Sequence, residues 1–168
     1  MKYRKETIAT RASRLLMKKN DRQSGIVEKQ CFESFAESIY AATNGRVELD
    51  PSIEPDKITD SMLNGNEKND SASQDIVIGI DWDNSNYTGS TYTWVVSGTG
   101  CNDTTYYEVP SMPAGWNDRV SSAIAYSGCK FYHFRDTNYG GASVVCNDYC
   151  PTMGTLDNAT SSERWVKK

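Results

Sequence analysis

Two short elements occur twice, in the same order, in the C-terminal half of this chain, and that doubling limits the fold more than any other feature. The first is an aromatic residue, a second aromatic after it, and then a glycine: Trp82, Tyr87 and Gly89 in one copy, Phe134, Tyr139 and Gly141 in the other. The spacing reads as a folded hairpin. Two rings stack across the turn while the glycine takes a backbone angle that a Cβ would forbid. The second element is a loop, once after each hairpin: Asn117-Asp118-Arg119-Val120-Ser121-Ser122 and Asp157-Asn158-Ala159-Thr160-Ser161-Ser162. Asn, Asp and Ser pairs are ordinary turn formers. Two such loops, each downstream of a matching hairpin, point instead to one structural unit used twice.

The surrounding sequence supports an all-β reading of this half. Trp, Tyr, Thr, Val and Gly dominate, and turn residues recur about every 8–12 positions, as in sandwiches and barrels. Segments 76–80, 92–96, 105–109, 123–126, 130–134 and 142–145 read as strands. Residues 1–75 have a different character and are read as a helical segment followed by a flexible linker, with the β domain occupying 76–168. Ile8, Leu15 and Leu16 stand among Arg and Lys at helical spacing over Thr7–Lys19, and a second helix is expected over Ser24–Ala42, stopped by Asn44-Gly45. Asn64–Gln74 is rich in Asn, Ser, Gly and Asp and reads as linker.

The doubled elements resemble the signatures of the βγ-crystallin superfamily, in its microbial calcium-binding branch. The family hairpin is aromatic-x-x-x-x-aromatic-x-Gly, and its calcium loop is Asn/Asp-Asn/Asp-x-x-Ser/Thr-Ser. Both copies here match both patterns, over about residues 76–165. The flavour is similar to secreted actinobacterial members, some grouped with metalloproteinase inhibitors. The resemblance implies a Greek-key β-sandwich of two motifs, preceded here by the helical or disordered N-terminal region, and two Ca2+ sites. It assigns as ligands the Asp118 side chain, the Arg119 carbonyl and the Ser121 hydroxyl, and in the other loop the Asn158 side chain, the Ala159 carbonyl and the Ser161 hydroxyl. Hairpin carbonyls at Asp83 and Arg135 are further expected ligands. The two motifs trade ligands in the family, so each ion ties one motif to the other.

Calcium takes six to eight hard oxygen ligands, and fewer anionic ligands mean weaker binding. Asp118 brings a carboxylate where the other loop has the neutral Asn158, so the sites are expected to differ in affinity. An EF-hand reading of Asp81-x-Asp83-x-Ser85 fails, because Asn86 and Tyr92 stand where Gly and Glu are needed.

Cys101, Cys129, Cys146 and Cys150 crowd the β half, while Cys31 stands apart. Two disulfides and an oxidising compartment are expected, in preference to zinc or free thiols, since paired C-x-x-C knuckles are lacking. Spacing does not fix the connectivity; Cys101–Cys129 with Cys146–Cys150 is the preferred pairing. The expected location is extracellular or in the cell envelope, although no signal peptide is visible: the basic start, Met1-Lys2-Tyr3-Arg4-Lys5, is followed by no apolar stretch. The net charge of −4 gives no basic footprint for nucleic acid, and no apolar run is long enough to span a membrane.

His133, alone of its type, reads as a packed or edge histidine, and with one His no Ser–His–Asp set is marked. The four Trp residues read as core or hairpin residues. A non-enzymatic, monomeric, calcium-stabilised structural or interaction domain is the leading expectation. The alternatives are an extracellular metalloproteinase inhibitor, gripping a protease with the segment Ser97–Asp103, or a killer-toxin-like protein on the same fold. Calcium ions, and an extracellular protein or protease, are the expected partners.

Overall fold

The computed structural model describes residues 10–17, 29–32, 34–65 and 75–168, with side chains described from residue 34 onward. The strands are β1 (Thr10–Met17), β2 (Lys29–Phe32), β3 (Asp75–Asn84), β4 (Thr88–Ser97), β5 (Tyr107–Val109), β6 (Ser122–Ala125), β7 (Cys129–Phe134), β8 (Ser143–Cys146), β9 (Tyr149–Cys150) and β10 (Ser162–Lys167). Two helices, α1 (Phe35–Ala42) and α2 (Asp60–Asn64), precede β3. The strands form two sheets, in the orders β2-β1-β4-β3-β6-β9 and β5-β10-β7-β8.

Those orders show how the halves interlock. In the first motif β3 and β4 make a hairpin and β6 returns beside β3, while β5 leaves to pair with β10 in the opposite sheet. In the second motif β7 and β8 make the hairpin, β10 returns beside β7, and β9 leaves to pair with β6. Each motif thus places its third strand in the other motif's sheet. This is a two-motif Greek-key sandwich, the fold that the resemblance implies. Ile78, Tyr92, Trp94, Val96, Phe131 and Trp165 fill the space between the sheets. The disulfides are Cys101–Cys129 and Cys146–Cys150, the preferred pairing.

A second core lies on the outer face of the larger sheet. Ile39, Val47, Leu49, Ile58 and Leu63 pack there against Val77, Ile80, Trp82, Val95 and Ile124. Strand β3 is therefore covered on both faces, which explains its nearly continuous apolar run. Polar contacts reinforce the junction. Asn64 donates to the Val77 carbonyl at 3.0 Å and accepts from its N–H at 2.9 Å. Both Asp60 carboxylate oxygens accept the Ser127 N–H, at 2.8 and 2.7 Å. A boundary at residue 75 divides neither the larger sheet, which takes in β1 and β2, nor the hydrophobic core.

The N-terminal expectations need correction. Thr10–Met17 is a strand, not part of a helix, running parallel to β4 in the register Ala12↔Thr91 to Met17↔Val96. Residues 29–32 pair antiparallel with it. A sheet edge offers a row of unpaired donors and acceptors, and such tertiary pairing overrides weak local helical spacing. Of the second expected helix only Phe35–Ala42 is helical, with Ser34 accepting the Glu37 N–H at 3.2 Å as N-cap. Its end at Thr43–Gly45 falls where Asn44-Gly45 was read as a stop, both residues having positive φ. Residues 18–28, and 66–74 of the linker, lie outside the described residues.

Candidate metal centre

The two hairpins are built alike. Trp82 meets Tyr87 edge-on at 5.4 Å, and Phe134 meets Tyr139 edge-on at 5.8 Å between ring centroids. Gly89 and Gly141 have φ of +84° and +72°. A Cβ on Gly89 would stand 2.2 Å from Asp83 Oδ1, and one on Gly141 would stand 2.6 Å from Asp136 Oδ2. The closing serine of each loop then staples its own hairpin shut. Ser122 Oγ accepts the Tyr87 N–H at 3.0 Å and donates to the Asn84 carbonyl at 2.7 Å. Ser162 Oγ accepts the Tyr139 N–H at 2.9 Å and donates to the Asp136 carbonyl at 2.6 Å. The serine before each of these docks by its backbone: Ser121 N–H donates to the Trp82 carbonyl, and Ser161 N–H to that of Phe134, both at 2.8 Å.

The loops also hold one another. Asp118 N–H donates to the Thr160 carbonyl at 2.9 Å, and Asn158 N–H donates to the Val120 carbonyl at 3.0 Å. These are equivalent positions exchanged between loops. Asp118 and Asn158 take left-handed backbone angles, φ +56° and +52°, a conformation that Asn and Asp tolerate better than most residues. Both are exposed, while Ser121 and Ser161 are buried beneath them.

The expected ligands fall into two sets. Asp118 Oδ1 lies 3.3 Å from Ser161 Oγ, the hydroxyl of the other loop. Neighbouring oxygens around a cation with bonds of about 2.4 Å stand about 3.4 Å apart, so this spacing suits one edge of a calcium shell. Among the described residues, the carbonyls of Arg119 and Ala159 accept no backbone hydrogen bond in the turns and loops. The contact between Asp118 and Ser161 brings the motifs together across the chain. Asn158 reaches the first loop through its backbone bond to Val120, the residue before Ser121, and brings no charge.

The hairpin ligands are less alike. Asp83 Oδ1 accepts the Ser90 N–H at 2.6 Å, and its Oδ2 pairs with the Arg119 guanidinium. Arg119 also donates to the Gly115 carbonyl at 2.8 Å and lies over the Trp116 ring. A cationic side chain is thereby fixed beside the first loop. Arg135 is exposed and donates to the Thr155 carbonyl at 3.3 Å, just ahead of the second loop.

Interlocked Greek keys carrying both signatures have the arrangement that the resemblance to βγ-crystallins implies. The chain is similar to a βγ-crystallin domain from Flavobacterium johnsoniae, with 24% identity and a TM-score of 0.39, over 54% of this chain and 96% of that one. It is similar to a domain of Abundant Perithecial Protein from Neurospora crassa, determined in the Ca2+-bound form, with 20% identity, a TM-score of 0.43, and coverage of 55% and 90%. An archaeal βγ-crystallin is similar at 20% identity and a TM-score of 0.40, over 57% of this chain and all of that one (100%). No family model and no curated protein matches the sequence. No helix among the described residues is long and apolar enough to cross a membrane.

One group of chemistry-bearing residues escaped sequence reasoning. His133 is packed, as expected, but beside Asp81 and Glu163, all three fully buried between the sheets. Strand alternation is the signal that could have shown it. His133 shares a strand face with Phe131, and Glu163 shares one with Trp165, so two ionisable residues enter the apolar layer.

Proposed function

We propose that residues 76–168 form a non-enzymatic calcium-binding domain of an exported protein, with two unequal sites made where the two loops cross. The observation that carries this reading is the contact between Asp118 Oδ1 and Ser161 Oγ, 3.3 Å apart and from different motifs. A cation there would be held by Asp118, by Ser161 and by the carbonyls of Arg119 and of Arg135, the residue that follows the Phe134 carbonyl on which Ser161 docks. The second site would use Asn158, Ser121 and the carbonyls of Ala159 and of Asp83, the residue that follows the Trp82 carbonyl on which Ser121 docks. Bound calcium supplies a charge clamp between the motifs, so its role is stability rather than chemistry. Two disulfides fit an oxidising compartment outside the cytoplasm.

Only the folded chain brings the loops together, so calcium raises the melting temperature by linkage. Thermal melts in chelator and in millimolar calcium test this. The expected result is a clear upward shift in the wild type and a reduced shift in Ser161→Ala. Identical melts in the two conditions would overturn the reading.

A second reading, inhibition of an extracellular metalloproteinase, draws on one observation. The turn 97–105 exposes Ser97, Thr99, Asn102 and Asp103 while its base is pinned. Cys101 is disulfide-bonded to Cys129, and the Thr99 carbonyl accepts the Tyr107 hydroxyl at 2.5 Å. Pre-organised exposed loops suit protease binding. Assays against metalloproteases and serine proteases test it, and an absence of inhibition across the panel removes it.

A further inference from the structure

The sandwich interior holds a polar group that a surface calcium site does not require. Asp81 enters from β3 in one sheet; His133 and Glu163 enter from β7 and β10 in the other, where they are directly paired neighbours. All three are fully buried. His133 Nε2 lies 3.2 Å from Asp81 Oδ1 and 3.5 Å from Glu163 Oε1, and one ligand atom from each residue falls within 4.8 Å of the others. Trp94 Nε1 donates to Asp81 Oδ2 at 2.6 Å, which fixes that carboxylate with its other oxygen facing the histidine. His133 Nδ1 has no hydrogen-bond partner, and the Glu163 carboxyl has only His133 Nε2 and the Asp81 carboxyl beside it.

Two carboxylates facing one imidazole in an apolar layer are a poor arrangement for the protein alone. Buried charges in folded proteins are paired or coordinate metals, and an unpaired one is strongly destabilising. A divalent cation would remove that conflict, since its two positive charges match two carboxylates around a neutral imidazole.

Geometry and ligand type select the class of cation. In a tetrahedral site with bonds of about 2.0–2.1 Å, neighbouring ligand atoms stand about 3.3–3.4 Å apart, close to the 3.2 and 3.5 Å found here. Imidazole with carboxylates suits zinc and its neighbours, whereas calcium needs more oxygens and takes no imidazole. Three protein ligands leave a fourth position. The Tyr92 hydroxyl is also buried without a hydrogen-bond partner. We propose that Asp81 Oδ1, His133 Nε2 and Glu163 Oε1 bind one zinc-class divalent cation inside the sandwich, joining β3 of one sheet to β7 and β10 of the other. The site is enclosed, so the ion enters during folding and acts as a structural staple.

The test uses the full chain, unfolded and refolded with its disulfides intact, in zinc with millimolar calcium present, then dialysed against metal-free buffer. Elemental mass spectrometry is expected to find about one zinc per chain in the wild type. In His133→Asn and Glu163→Gln it is expected to fall at least tenfold. Asp118→Asn keeps its zinc, so failure of the calcium reading is separable from failure of this one. Refolding the wild type in cobalt(II) gives a second measurement that needs no variant, and the intense visible bands of a tetrahedral site are expected. Wild-type protein that retains neither zinc nor tetrahedral cobalt overturns the proposal. So does retention in His133→Asn and Glu163→Gln equal to that of the wild type.

Discussion

The two hairpin-and-loop units share a scaffold and differ in charge. Ser122 and Ser162 make the same pair of hydrogen bonds, Gly89 and Gly141 take the same left-handed angle, and Asp118 and Asn158 adopt matching backbone conformations. The differences lie in what the scaffold presents. One loop carries the Asp118 carboxylate and the Arg119 guanidinium paired with Asp83; the other carries neutral Asn158 and Ala159. The contrast teaches that framework and ligand are separable in such a unit. Serine and glycine build the loop, and two neighbouring positions set what it holds.

The glycines should give the largest effects. Gly89→Ala and Gly141→Ala place a Cβ against a carboxylate at a left-handed backbone position. Each is expected to destabilise by about 2–4 kcal/mol in chemical denaturation, combining conformational strain with overpacking. Similar losses in the two variants support an equivalent framework; a difference of more than about 2 kcal/mol would break that equivalence. Next come the staples. Ser122→Ala and Ser162→Ala each leave a hairpin N–H and a carbonyl without their partner, and a loss of about 1–3 kcal/mol is expected in each, again alike.

Smaller effects should separate the units. Asp118→Asn removes the one carboxylate among the expected side-chain ligands, and a drop of about tenfold in the affinity of one site is expected, about 1.4 kcal/mol. Asn158→Asp should shift the other site by a similar factor in the opposite direction. The smallest effect belongs to Arg119→Ala. Its ion pair with Asp83 is partly exposed, so a stability change under about 1 kcal/mol is expected. Removing that positive charge should also strengthen calcium binding by up to about fivefold. Weaker calcium binding in this variant would mean that the guanidinium positions the loop rather than competing with the ion.

What the sequence revealed was what is local. Ring, ring and glycine lie within one hairpin, and the loop signature spans consecutive residues, so both were legible as patterns. Most strands were too, because alternation and turn residues mark them. Strands β9 and β10 were not: β9 has two residues, and Ser162-Glu163-Arg164-Trp165 reads as polar although Ser162, Glu163 and Trp165 are buried. The exchange of β5 and β9 between sheets, and the pairing of Asp118 with Ser161, depend on contacts far apart in the chain. The convergence of Asp81, His133 and Glu163 depends on them as well. Thr10–Met17 shows the converse, a segment with helical spacing that pairs with an open strand edge.

The central claim is that the loop crossing makes two calcium sites of unequal strength. Isothermal titration of calcium into the metal-stripped full chain tests it most directly, with Asp118→Asn titrated alongside. The account predicts two sites of different affinity in the wild type and two weak, nearly equal ones in the variant. Absence of binding, a single site, or a wild-type isotherm unchanged by Asp118→Asn would contradict it.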